Sequence, residues 1–158
     1  MANEVKISRE TLVTAPTITN LNSLGNGNIW TSDTWSNTAP TFGFLEVFYT
    51  LTFNATPVGG DGLNFWWLRQ DDDASEIFVG DATGSETELT TAASIASIRA
   101  IPQVHRHAWQ TSHAVDFHGY LKIWDPGPAG QLAIQSEGEA LSASGNVIHY
   151  RFATTEVQ

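Results

Sequence analysis

Two stretches of strict period-two alternation constrain this chain more than anything else in it. Residues 41–53, TFGFLEVFYTLTF, place Leu45, Val47, Tyr49, Leu51 and Phe53 on one side and Phe44, Glu46, Phe48, Thr50 and Thr52 on the other. Residues 63–69, LNFWWLR, separate Leu63, Phe65 and Trp67 from Asn64, Trp66 and Leu68. Successive side chains of a strand point to opposite faces, so both stretches read as strands with a strongly apolar inner side. The turn-rich segment 54–62 between them predicts an antiparallel hairpin with a long loop.

Shorter strands are expected near 4–7, 17–21, 27–32, 76–80, 97–101, 113–118, 119–124, 131–135 and 146–153, separated by Gly and Pro punctuation. Many short strands with turns between them predict an all-β fold, an antiparallel β-sandwich of jelly-roll-like form. The segment Thr87–Ile98 reads equally as helix or loop, because its Thr and Ser content weakens helix propensity. With 158 residues and no compositional break, the chain is expected to be a single domain over 1–158. Residues 1–20 read either as an extended N-terminal arm or as an ordinary edge strand.

Charge and composition narrow the function classes. Seventeen acidic against seven basic side chains give a formal charge of −10, which argues against nucleic acid and anionic membranes as partners. The opening MANEVKISRE lacks an apolar core, predicting no secretory signal. The apolar runs are far shorter than the roughly 20 residues of a membrane-spanning helix. Having no Cys, the chain cannot form disulfides, thiolate metal sites or Cys nucleophiles.

Chemistry-bearing clusters are few. His105 and His107 share a strand face, as in the opening of the cupin metal motif, with His113 nearby. The acidic ligand that should follow is replaced by Gln110, Thr111 and Ser112, so no metal or other cofactor is expected. Asp71, Asp72 and Asp73, with Glu76 and Asp81, lack calcium-loop spacing and read as a solvated tip. Asp116 and His118 share a face without completing a triad, and no hydrolase or phosphate-binding motif occurs. The chain is therefore expected not to be an enzyme.

The aromatics are more informative. With Trp67 inward, Trp66 becomes the outward member of its strand, as Phe44 and Phe48 are of theirs. Outward apolar groups mark an interface or ligand platform, or else are covered within the monomer by loops such as 82–96. Read as partner-binding residues, they are Phe44, Phe48 and Trp66, joined by Val5, Ile7, Leu12 and Val13 as apolar anchors of the N-terminal segment.

The order LNSLGNGNIWTSD, FGFLEVFYTLTF, GGDGLNFWWLRQDDD, closing with Leu141-Ser-Ala-Ser-Gly145-Asn146 and the alternating Val147–Phe152, resembles small virion structural proteins of tailed bacteriophages. The resemblance runs through most of 17–153 but not through about 82–112. It implies a compact sandwich on the capsid exterior, made in the host cytoplasm and acting as a cement or decoration protein. The partner it implies is the phage major capsid protein, bound by a homo-oligomer with the trimer favoured. It carries no site residues by position. The alternatives are a carbohydrate- or receptor-binding virion sandwich and, further off, a cupin-like metalloenzyme on His105 and His107.

Overall fold

A computed structural model describes residues 5–15, 17–37, 43–70, 84–112 and 114–157. The chain is an all-β sandwich of two antiparallel sheets. The first sheet takes β1 (Val5–Arg9), β11 (Val147–Val157), β5 (Gly43–Thr52) and β9 (Asp116–Trp124) in that order, with β2 (Val13–Thr14) also against β11. The second takes β7 (Thr87–Leu89), β3 (Ile29–Thr31), β10 (Ala129–Glu137), β6 (Gly62–Arg69) and β8 (His105–Ala108), with β4 (Trp35–Ser36) also against β10. Among the described residues one helix, α1 (Ala92–Arg99), lies between β7 and β8 in the chain.

The two long strands β5 and β6 do not form the expected hairpin. β5 pairs with β11 and β9, whereas β6 pairs with β10 and β8. Segment 53–61 instead carries the chain from one sheet to the other. Each strand is apolar on its inner side, and facing each other buries both sides at once. The rings of Tyr49 and Phe65 meet across the gap at 4.9 Å. The last two strands, β10 and β11, likewise belong to different sheets and form no hairpin with each other.

The expected core is the observed one: Leu45, Val47, Tyr49, Leu51, Leu63, Phe65 and Trp67 are all buried in one cluster. Trp30, Trp35, Ile134 and Ile148 belong to the same cluster. Burial pushes the Tyr49 phenol up to about 12, consistent with a hydroxyl surrounded by rings.

The strands expected at 113–118 and 119–124 are one strand, β9. The apparent break falls at Gly119, where an added Cβ would meet the Tyr49 ring at 2.2 Å. Glycine is required there because the phenol of the adjacent strand lies over the backbone. The strand expected at 97–101 is the end of α1 and the turn after it. Thr91 caps that helix, its side chain accepting from the Ser94 N–H at 3.2 Å. Residues 17–21 form a turn rather than a strand, and 76–80 lie outside the described residues.

The N-terminal segment is an edge strand, not a detached arm. β1 pairs antiparallel with β11 from Val5↔Val157 to Arg9↔Ala153. Its backbone groups find ladder partners there, which a free arm would leave to water.

These assignments predict that Leu51→Ala lowers stability by about 2–5 kcal/mol and Trp66→Ala by about 3–5 kcal/mol. Gly119→Ala should cost about 1–3 kcal/mol by forcing the Tyr49 ring from its place. Denaturant titration of the three variants checks the values; a Gly119→Ala protein as stable as the parent would contradict the packing of Tyr49.

Candidate docking surface

Each sheet has an outer side, and the two differ. On the second sheet, Trp66 is only 1% exposed. α1 and the turn after it cover it: Trp66, Leu68, Ile29, Ala133 and Ile98 form a second apolar cluster, with Ile95 and Ile101 packed against it. The Trp66 indole N–H donates to the Ile101 carbonyl at 3.2 Å. Trp66 is thus a core residue of the monomer, which corrects its reading as an outward partner contact. The rim of that cover is polar, with Arg99 donating to Gln135 Oε1 and to Glu137.

The outer side of the first sheet has no such cover among the described residues. Directly paired residues share a face, so the register assigns its members. Phe44, Glu46, Phe48, Thr50 and Thr52 of β5 lie opposite Trp124, Lys122, Tyr120, His118 and Asp116 of β9. On the other flank, Arg151 and His149 of β11 lie opposite Glu46 and Phe48. Arg9 of β1 adds to the same face, since it reaches Glu46.

At the centre is Glu46, a carboxylate buried on an otherwise solvent-facing sheet. Its Oε2 accepts from Arg151 Nε at 2.6 Å and from Arg9 Nε at 3.2 Å, and its Oε1 accepts from the Tyr120 hydroxyl at 3.2 Å. Burial alone would raise its pKa, but the hydrogen bonds and charges of Arg151 and Arg9 outweigh that and hold it below the usual carboxylate value. A carboxylate so saturated is held ionised and is a poor proton carrier. It fixes two guanidiniums and leaves a net positive charge behind.

Aromatic rings and cations alternate around this centre. Lys122 Nζ lies 3.4 Å from the Phe44 ring centroid and 3.9 Å from that of Trp124. Phe44 and Trp124 meet edge-on at 5.2 Å, and Phe48 and Tyr120 at 5.0 Å. The Arg151 guanidinium is 5.5 Å from the Phe48 centroid. Trp124 is 66% exposed and Tyr120 46%, while Phe44, at 1%, is sealed by its neighbours. Phe44 therefore supports the surface rather than presenting itself to a partner, which corrects its expected role. Three of the chain's seven basic side chains, Arg9, Lys122 and Arg151, are gathered on this one face of an acidic protein.

The remaining expected contacts are dispersed. Phe48 is half-buried on this face, and Ile7, two residues before Arg9 on β1, is exposed at its margin. Val13 is exposed too, but it pairs with Tyr150, whose ring turns inward against Trp35 at 4.0 Å, so it belongs to the opposite side. Leu12 is an exposed loop residue between β1 and β2. Val5 is in β1, with its side chain outside the described set.

The histidine and acid clusters assemble no reaction centre among the described residues. His105 and His107 do share a face, but that face packs on rings: His105 on Phe65 at 5.8 Å, His107 on Phe117 at 4.3 Å and Trp109 at 4.9 Å. No three His, Asp or Glu side chains converge as metal ligands among the described residues. His118 Nδ1 meets Thr50 Oγ1 at 2.9 Å, and Asp116 accepts from Thr52 Oγ1 at 2.9 Å, so neither addresses the other. His113 and the acids at 71–73, 76 and 81 lie outside the described residues.

Sequence reading missed Tyr120, Lys122, Trp124, Arg9 and Arg151. The signal was present in the alternation of Asp116, His118, Tyr120, Lys122 and Trp124, but it was cut by Gly119. Comparison with protein-family models, curated proteins and solved structures gives no match, so the surface chemistry carries the functional argument.

The depressed pKa of Glu46 has a definite pH signature. Its stabilisation is complete above the unfolded carboxylate pKa and is lost as pH falls through the lower folded value. Glu46→Gln should cost about 1–3 kcal/mol near neutral pH, as expected for charged hydrogen bonds. The difference from the parent should shrink on acidification through and below the normal carboxylate range. Chemical denaturation across that range checks it.

Proposed function

We propose that this chain is a non-enzymatic virion structural protein of the tailed-phage type. In this reading it is a cement or decoration protein that binds the major capsid protein on the exterior of the assembled head. The observation that carries the reading is the outer face of the first sheet. It is a rigid strand surface where Trp124 and Tyr120 stand open to solvent beside Arg151, Arg9 and Lys122. Trp, Tyr and Arg are the residue types that dominate binding energy at protein interfaces. The sheet beneath fixes their rotamers before docking, which lowers the entropy lost on association. The resemblance at LNSLGNGNIWTSD, FGFLEVFYTLTF and GGDGLNFWWLRQDDD supports the capsid as the partner. The charge of −10 discourages random association among free copies, while leaving open specific docking through Arg9, Arg151 and Lys122 to an acidic patch on a partner.

Co-sedimentation with purified empty capsids of the phage that encodes the chain tests this. Saturable binding is expected, weakened about tenfold or more by Trp124→Ala or Arg151→Ala. Val58→Ala, at an exposed position in the segment joining β5 and β6, should leave binding unchanged. Capsids that ignore the chain, or bind all three variants like the parent, would overturn the reading.

A second reading, sugar recognition, is favoured by the open Trp124 indole, because aromatic faces stack on sugar rings. Lys122 already lies against that ring, so a sugar would have to displace it. Binding of the parent, but not of Trp124→Ala, on a glycan array would favour this reading.

A further inference from the structure

Among the described residues, the first sheet ends in an edge whose outward backbone groups have no strand partner. β9 spans nine residues, and among the described residues it pairs with β5 alone. The ladder shows which of its groups are free. The Phe53 N–H donates to the Val115 carbonyl at 2.8 Å, and the Asp125 N–H to the Gly43 carbonyl at 3.2 Å. Hydrogen-bonded pairs recur every second residue in an antiparallel ladder. Phe117, Gly119, Leu121 and Ile123 are therefore the residues bonded to β5. Asp116, His118, Tyr120, Lys122 and Trp124 turn their N–H and C=O groups the other way, out of the sheet.

Native proteins blunt such edges with short strands, Pro, bulges or a projecting Lys. The other outer strands of the sandwich are shorter: β7 has three residues, β8 four and β1 five. β9 has no Pro, and its one Lys is folded back over Phe44 and Trp124 rather than projecting off the edge.

We propose that a second copy of this chain occupies the edge, β9 pairing antiparallel with β9 about a two-fold axis at Gly119. Charge selects the occupant and the register. The outward groups of the two strands oppose each other in registers centred on His118, Gly119 or Tyr120. Centring on Gly119 sets Asp116 of each copy opposite Lys122 of the other, on the same face, twice over. It also sets His118 opposite Tyr120 and brings the two glycines together at a close, non-hydrogen-bonded position. Centring on His118 leaves Lys122 opposite Ala114, and centring on Tyr120 leaves it opposite His118. Opposite charges directly across an antiparallel pair stabilise it, and like charges oppose it. The pairing is isologous and closes at two copies, departing from the trimer favoured on sequence resemblance. It stands independently of the capsid reading, since it concerns the purified chain alone.

Sedimentation of the full chain over a range of concentrations at low salt tests it, with thermal melts reporting whether each variant folds. A monomer–dimer equilibrium is expected. Lys122→Asp places two carboxylates together at both ends of the pairing and should weaken the dimer about tenfold or more. The double exchange Asp116→Lys/Lys122→Asp should restore it. Tyr120→Pro deletes an outward N–H that β5 does not use, and should abolish the dimer while the sandwich still folds. A chain that stays monomeric, a trimer, or a dimer indifferent to Lys122→Asp would overturn the proposal. Failure of the double exchange to restore the dimer would reject the register.

Discussion

Two strands that carry large apolar side chains on both sides impose the central constraint on this molecule. β5 and β6 each have an apolar inner face, and their outer faces add Phe44 and Phe48 on one and Trp66 and Leu68 on the other. Leu45, Val47, Tyr49 and Leu51 meet Leu63, Phe65 and Trp67 inside, and the remaining faces need another solution. On the second sheet the solution lies within the chain: the segment between β7 and β8 folds into α1 and seals Trp66. On the first sheet it is electrostatic. Phe44 and Phe48 are screened by Lys122, by Arg151 and by the rings of β9, and Arg151 is held in turn by one buried carboxylate. The difference between the two solutions gives the molecule a closed side and an open side.

Much of the fold was legible because period-two alternation is a direct readout of a half-buried strand. The inner residues of β5 and β6 could be assigned from the sequence alone. Their partners could not, because alternation says which way a side chain points and nothing about which strand lies beside it. A loop rich in Gly and other turn residues serves a hairpin and an inter-sheet crossing equally well. The burial of Trp66 was hidden for another reason. α1 is built largely from Ala and Ser, and its covering face is made by Ile95 and Ile98 with Ile101 just beyond. So few apolar positions make a weak periodic signal over so short a helix.

The candidate docking face was the least legible part. Its residues come from β1, β5, β9 and β11, far apart in the chain, and only the register brings Arg9 and Arg151 onto one carboxylate. Local reading could have found one strand of it, had Gly119 not looked like a terminus. That glycine is instead a place where a neighbouring ring substitutes for a side chain. Glycine as punctuation and glycine as clearance are the same letter in a sequence, and only packing tells them apart.

The distribution of indoles has an optical consequence. Of the six tryptophans, Trp30, Trp35, Trp66, Trp67 and Trp109 are buried, and Trp124 alone is open to water. The long-wavelength side of the emission is therefore weighted towards a single fluorophore, and a dissolved quencher such as iodide reaches that one and spares the rest. The protein carries a built-in dye at the rim of its open face, with Lys122 beside it to draw in anionic quenchers. Whatever comes to rest on that face will change the quenching of Trp124 and leave the emission of the core as an internal standard.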